Sequence, residues 1–190
     1  MGFILGTLGP ADGAIIRNLQ EPIINTLRKA AEDVRKGRAD NNCLLWFGDS
    51  TAPWKNQLGL MLSRFASVVN TTDITVNFEH WLERDPDTRA SALPPTGGWG
   101  NYTNLTRAQQ GRNFTIFLDR GFSSVPTYRP TAHTASNTKF KTMVHELSHL
   151  IIGTDDHARG PIRCRALALG NSAQAKANAD TWGYFVEDLR

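Results

Sequence analysis

Two cysteines, Cys43 and Cys164, are all that this 190-residue chain contains. Two cannot make a disulfide-dense scaffold, and their spacing does not suit a zinc site. They are read as one long-range disulfide or as two buried thiols. Also missing is any apolar run of the about 20 residues that a membrane-spanning helix needs. Charge of one sign is not in excess: 21 Lys and Arg against 18 Asp and Glu leave +3. The basic residues are scattered, so no nucleic-acid face is expected. The apolar start, Met1–Pro10, lacks a basic leading region and is read as an ordered or loose first segment, not a signal peptide. Gly6 stands where a myristoylation motif needs Ser or Thr. No nucleophile elbow or phosphate loop occurs.

What is present is ordinary for one globular domain spanning residues 1–190, with 40% hydrophobic and 21% charged residues. Ile15, Ile16, Leu19, Ile23, Leu27, Ala30 and Val34 recur at three and four, which predicts a helix over 13–37 that Pro22 splits or kinks. A short apolar run, Leu44–Phe47, ends at Gly48. A second helix is expected over 54–69. Ile74, Val76 and Phe78 alternate as a strand, and so do Phe114, Ile116 and Leu118. Residues 85–111 and 119–135 read as loops, the first around Pro94–Gly100. A helix is expected from about Asn137 to Ile152 with Gly153 as its stop, and a last one capped by Ser172 and running through Leu189. Helices with a few strands between them make the fold class α+β. Strand 114–118 is read either as an edge that binds an extended substrate or as a buried central strand. Four Asn-x-Thr sequons, at Asn70, Asn101, Asn104 and Asn113, would carry sugar in a eukaryotic secretory pathway.

The chemistry is carried by Val144–His157. It holds His145-Glu-Leu-Ser-His149, a His-Glu-x-x-His pattern, inside a predicted helix. A shuffled chain of this composition holds that pattern about 0.004 times, so chance is a poor account of it. Two imidazoles one helical turn apart share a face and grip a zinc ion, while Glu146 beside them takes a proton from the attacking water. Three protein ligands with one open position define a catalytic zinc site. The third ligand must come from beyond Gly153, which lets the chain turn back sharply. Asp155, Asp156 and His157 all carry suitable groups, and the spacing alone does not choose among them. His80 and His133 lack a paired ligand at useful spacing, and Trp99 and Tyr102 either line a cleft or anchor their loop.

His145–His149 followed by Gly153-Thr-Asp-Asp156-His-Ala-Arg-Gly160 resembles the aspzincins, the deuterolysin and peptidyl-Lys metalloendopeptidase family. Trp46-Phe-Gly48, Leu167-Ala168, Asn178-Ala-Asp180 and Tyr184–Glu187 extend the resemblance, over about residues 25–190. It implies a zincin-like fold and one zinc ion per chain. It further implies His145, His149 and Asp156 as ligands, Glu146 as general base, and Asp180 as the acidic residue that selects a substrate lysine. The competing account of Asp180 is a cap or pair within the last helix. Two departures stand out. The interval from His149 to Gly153 is short, and Arg159 takes the place of the family tyrosine that donates to the developing oxyanion. Arg159 is thus expected to supply a charged, planar donor to the oxyanion, to bind a substrate carboxylate, or to face solvent.

The function expected is a zinc-dependent endopeptidase acting on protein or peptide substrates, with lysine preferred beside the scissile bond. Its setting would be secretion or delivery outside the producing cell, as an exported bacterial toxin domain with an immunity or inhibitor protein as partner. The alternatives are a zinc-bound binding module with catalysis weakened by Arg159, and a zinc amidase acting on cell-wall peptides.

Overall fold

A computed structural model describes residues 2–78, 90–93, 114–129 and 137–190. The elements run β1 (Phe3–Leu5), α1 (Pro10–Arg35), α2 (Asp40–Phe47), α3 (Ala52–Thr71), β2 (Ile74–Phe78), β3 (Ala90–Leu93) and β4 (Phe114–Leu118). Then come α4 (Arg120–Ser124), α5 (Lys139–Ile151), α6 (Pro161–Gly170), α7 (Ser172–Lys176) and α8 (Ala179–Asp188). Helices and a small sheet make an α+β molecule, as the sequence pattern implied.

Helix α1 runs unbroken through Pro22. A proline inside a helix costs about 3 kcal/mol. Against that, α1 packs on α3 and buries Ile16, Leu19, Ile23, Leu27 and Val34 completely or nearly so. At about 1.5–3 kcal/mol for each large apolar side chain, burial outweighs the proline, so neither a split nor two helices results. The run Leu44–Phe47 is the end of α2, and Gly48 closes it in the left-handed conformation with φ 65°. A Cβ at Gly48 would stand 2.0 Å from the Ala168 carbonyl oxygen, so α2 and α6 meet at a spot that only glycine fits.

The sheet order is β1-β2-β4-β3, with β1, β2 and β4 parallel and β3 antiparallel to β4. Two of these strands were not expected. The N-terminal segment becomes β1 by pairing Phe3 with Ile74. Ala90–Leu93, inside the expected loop, becomes β3 by pairing Leu93 with Thr115. Of the two readings of strand 114–118, the central strand is the one found: β4 lies between β2 and β3, and among the described residues β3 holds the outer place. The rest of the 85–111 loop, His80, His133, Trp99, Tyr102, and the sequons at Asn101, Asn104 and Asn113 lie outside the described residues. Asn70 sits exposed in the last turn of α3.

The C-terminal third differs from expectation in three places. Residues 120–124 form α4 within the expected 119–135 loop. The chain from 161 to 170 is helical, although its period is unclear in sequence. The final helix is two: Asn171, not Ser172, caps α7 by accepting from the Gln174 backbone N–H, and Ser172 Oγ donates to the Phe47 carbonyl instead. Trp46 stacks on Tyr184 with ring centroids 5.1 Å apart, and Phe47 meets Trp54, Trp182 and Phe185, joining α2, α3 and α8 in one aromatic core. Cys43 and Cys164 are two buried free thiols, and burial pushes each up to about 12.

Candidate metal centre and active site

Helix α5 carries the motif, and all thirteen of its residues are buried. It touches β3 and β4, and it also packs on α8. Its start is fixed by Thr138, whose Oγ1 accepts from the Lys141 backbone N–H and donates to Glu187 Oε1 at 2.6 Å. Its end is fixed by Gly153, at φ 80°, whose N–H returns to the Ser148 carbonyl. The turn leaves Thr154 buried below the helix end, where its hydroxyl meets Ser148 Oγ at 2.7 Å.

Both histidines are held in one tautomer by what their inner nitrogens meet. His145 Nδ1 lies 2.7 Å from Asp180 Oδ1, and His149 Nδ1 lies 2.6 Å from the Thr154 carbonyl. Carboxylate and carbonyl only accept, so each Nδ1 carries the proton and donates. In the neutral ring each Nε2 then presents a bare lone pair. These two lone pairs face each other at 3.1 Å. Between two acceptors that separation is repulsive without a cation to share. Burial, and then the neighbouring His145, lower the His149 pKa, which favours the neutral ring that ligates metal.

The third donor comes from the turn. Asp156 Oδ1 stands 3.3 Å from His145 Nε2 and 3.6 Å from His149 Nε2. Tetrahedral ligands held about 2.0–2.1 Å from zinc stand about 3.3–3.4 Å apart. The donor separations of 3.1, 3.3 and 3.6 Å bracket that value, so two neutral imidazoles and one carboxylate fit zinc in both chemistry and spacing. His145, Glu146 and His149 also offer ligand atoms within 4.8 Å of one another, and Glu146 Oε1 lies 3.7 Å from His145 Nε2. Asp156 matches the tetrahedral edges better, with the Glu146 carboxylate beside the site. Burial pushes Glu146 up to about 7, against the lowering effect of His145.

Sequence spacing left the choice within Asp155–His157 open. The hydrogen bonds around this turn run to the start of α8 and set Asp156 apart from its neighbours. The Asp155 backbone bridges to Asn178, with Asp155 N–H donating to the Ala177 carbonyl and Ala179 N–H donating to the Asp155 carbonyl. The buried Asn178 accepts from the backbone N–H groups of His157 and Ala158 through Oδ1, and its Nδ2 donates to Thr181 Oγ1. The residues on both sides of Asp156 are thereby pinned, and its carboxylate turns to the histidines. Asn178 was noticed in sequence only as part of a resemblance. Its role depends on contacts some twenty positions away, which no local pattern signals.

Asp180 sits 3% exposed behind His145. Its carboxylate takes the His145 Nδ1–H, an ion pair with Lys141, and the Gly160 backbone N–H at 2.7 Å. Burial raises the carboxyl's pKa, but the Lys141 ammonium and then His145 outweigh burial and hold it well below the usual range. Its partners therefore lie on α5 and in the metal-ligand turn, not within its own helix. A substrate ammonium reaching Asp180 would have to displace Lys141. Lys141 fits there because Gly183 lets α8 come close: a Cβ at Gly183 would stand 3.0 Å from both Cγ and the carbonyl oxygen of Lys141. Arg159 is half exposed, and its Nη2 pairs with Asp156 Oδ2 at 3.1 Å.

A family model described as lysine-specific metallo-endopeptidase, aspzincin M35, matches residues 35–187. A peptidyl-Lys metalloendopeptidase of Armillaria mellea is 38% identical over 76 residues, 39% of this chain and 20% of that protein. Another, of Pleurotus ostreatus, is 28% identical over 145 residues, 75% of this chain and 71% of its own length. An extracellular protease of Aeromonas hydrophila is 34% identical over 77 residues, 40% of this chain and 20% of that protein. The match thus spans a fifth of the Armillaria and Aeromonas relatives. A solved zinc peptidase from Grifola frondosa shares the fold, with a TM-score of 0.69 and 19% identity over 95% of this chain and 96% of that one. With its model matched over residues 35–187, the aspzincin family of zinc metallo-endopeptidases is the one to which this chain belongs.

Proposed function

We propose that this chain is a zinc-dependent endopeptidase that hydrolyses peptide bonds in protein or peptide substrates. The observation that carries the reading is the donor triangle of His145 Nε2, His149 Nε2 and Asp156 Oδ1, with edges of 3.1, 3.3 and 3.6 Å. Bound zinc supplies Lewis-acid polarisation of the scissile carbonyl and makes water acidic enough to attack near neutral pH. The protein supplies the rest. Asp180 and the Thr154 carbonyl fix the two imidazoles, so both lone pairs converge. Glu146, buried and one residue from His145, receives the proton of the attacking water and passes it to the leaving amine.

The family's printed description and the names of the fungal relatives speak of lysine. In this chain the corresponding carboxylate, Asp180, already holds Lys141, so a preference for lysine beside the cut bond would need another acidic group. An exported setting is supported by the Aeromonas relative, which is an extracellular protease, while no described helix is long and apolar enough to cross a membrane. In such a setting the chain would act as a toxin domain paired with an immunity protein.

The test is a digest of a proteome-derived peptide library by the zinc-loaded protein, by the same protein with chelator, and by Glu146→Gln. Cleavage should occur only in the first, because an amide cannot take the proton, and Glu146→Gln should keep its zinc. Cuts by Glu146→Gln at the wild-type rate would remove Glu146 from the chemistry. Zinc bound without any cleavage by the wild type would favour the binding-module reading. The cleavage map itself reports whether lysine is selected.

A further inference from the structure

We infer that Arg159 is the positioning residue of the third metal ligand: its guanidinium holds Asp156 Oδ2 so that Oδ1 alone faces the two histidines. The inference rests on the zinc reading above and extends it to a residue outside the ligand set.

Asp156 is the one exposed member of the donor triangle, with a third of its side chain in contact with solvent, while His145 and His149 are 8% exposed. The two histidines are fixed from behind by buried acceptors. A solvated carboxylate has no such restraint. Its terminal torsion is broad and two-fold, so either oxygen, or both, could turn to a metal. In this chain the two oxygens are told apart. Oδ1 stands 3.3 and 3.6 Å from the imidazole nitrogens, and Oδ2 stands 3.1 Å from Arg159 Nη2. A guanidinium is always charged, so its Nη2 occupies Oδ2 and leaves Oδ1 to the histidines.

An ion pair this exposed would ordinarily contribute little, because ordering two side chains costs as much as the attraction returns. Here the backbone has already met much of that cost. His157 and Ala158 are tied to Asn178, and Gly160 is tied to Asp180, so the three-residue step from Asp156 to Arg159 has a fixed shape. The effect to look for is therefore on metal affinity, not on the stability of the fold. The charge sign also fits. The Asp180 charge beside His145 is balanced by Lys141, and Arg159 balances Asp156 in the same way.

The experiment is zinc affinity by competition with a fluorescent chelator, at fixed salt, for wild type, Arg159→Met, Arg159→Lys, Asp156→Ala and the Asp156→Ala/Arg159→Met pair. Far-ultraviolet circular dichroism checks the fold of each. Loss of a group that orients a metal ligand weakens metal binding by about 10–100-fold. Arg159→Met should fall in that range, and Arg159→Lys should recover part of it. In the Asp156→Ala background, Arg159→Met should cost nothing further, since the group it orients is gone. Cobalt substituted for zinc should show a shifted visible spectrum in Arg159→Met, because the carboxylate is no longer held to one oxygen. Unchanged affinity in folded Arg159→Met overturns the inference, and so does a variant that loses turnover while binding zinc as tightly as wild type, which is the pattern of an oxyanion donor. A wild type that takes up no zinc overturns the zinc reading itself and this inference with it.

Discussion

At the residue scale, the buried pair Lys141 and Asp180 does two separable things. It neutralises two charges inside the protein, and it holds the His145 ring through Nδ1. Removing one partner of a buried ion pair strands the other and costs about 3–5 kcal/mol. Asp180→Ala should therefore destabilise the fold by about that much in urea unfolding. Adding Lys141→Met to Asp180→Ala should restore most of the lost stability, because no charge is then stranded. It should not restore zinc affinity, which we expect to stay about 10–100-fold weaker, because His145 still lacks its acceptor. If the second change restores both quantities together, Asp180 acts on zinc only through stability, and the orienting role fails.

This pair also marks the limit of sequence reading at this scale. His145, Glu146 and His149 are legible because one helical turn relates them. Asp180 is visible only as a resemblance, and its partner His145 lies 35 positions away. Lys141 carried no signal, since a lysine at the start of an amphipathic helix normally faces water. Only the close crossing of α5 and α8 at Gly183 buries it.

At the element scale, each segment with a complete hydrophobic period was legible: α1, α3, α5, β2 and β4 bury most of the residues that the periods pick out, Ile15 and Phe78 only in part. Segments whose structure is made by a neighbour were not. Ala90–Leu93 lacks β-branched residues and becomes a strand because β4 offers it hydrogen bonds. The break between α7 and α8 arises where Asn178 turns aside to hold the metal-ligand turn. The join of α2 to α6 can be tested directly. At Gly48 a side chain meets both a left-handed backbone and the Ala168 carbonyl. Gly48→Ala should destabilise by well over about 1 kcal/mol, the scale of a misplaced alanine at positive φ. Gly170→Ala, where a Cβ meets nothing within 4 Å, should be near neutral in the same denaturation experiment. Equal effects would mean that α2 and α6 can separate without loss.

At the scale of the whole molecule, the candidate metal ligands join α5 to the turn before α6, and that turn is hydrogen-bonded to α8. A metal bound there belongs to the folded state, since the unfolded chain has no such triangle. Zinc at 100 times its dissociation constant should add about 2.7 kcal/mol of stability. Stripping it with chelator should lower the melting temperature, and returning zinc should restore it. His145→Ala should melt at one temperature with or without zinc. A melting temperature of the wild type that ignores both chelator and zinc would argue against a metal at this centre.

The sequence by itself determined the family chemistry and the local scaffold: the helix that carries His145, Glu146 and His149, its stop at Gly153, and most of the residues that face the core. These follow from covalent spacing and from hydrophobic period, which are local quantities. It left Asp155, Asp156 and His157 undistinguished, left Asp180 between a lysine pocket and a pair within its own helix, and left strand 114–118 between an edge and a buried central place. The tertiary structure decided those points, because each depends on a buried polar group finding its partner far along the chain. Asn178 pins the residues beside Asp156, Lys141 pairs with Asp180, and among the described residues β3 takes the outer place beside β4. A buried donor or acceptor must be satisfied by whatever the fold brings near it, and that neighbour is set by packing rather than by distance in sequence.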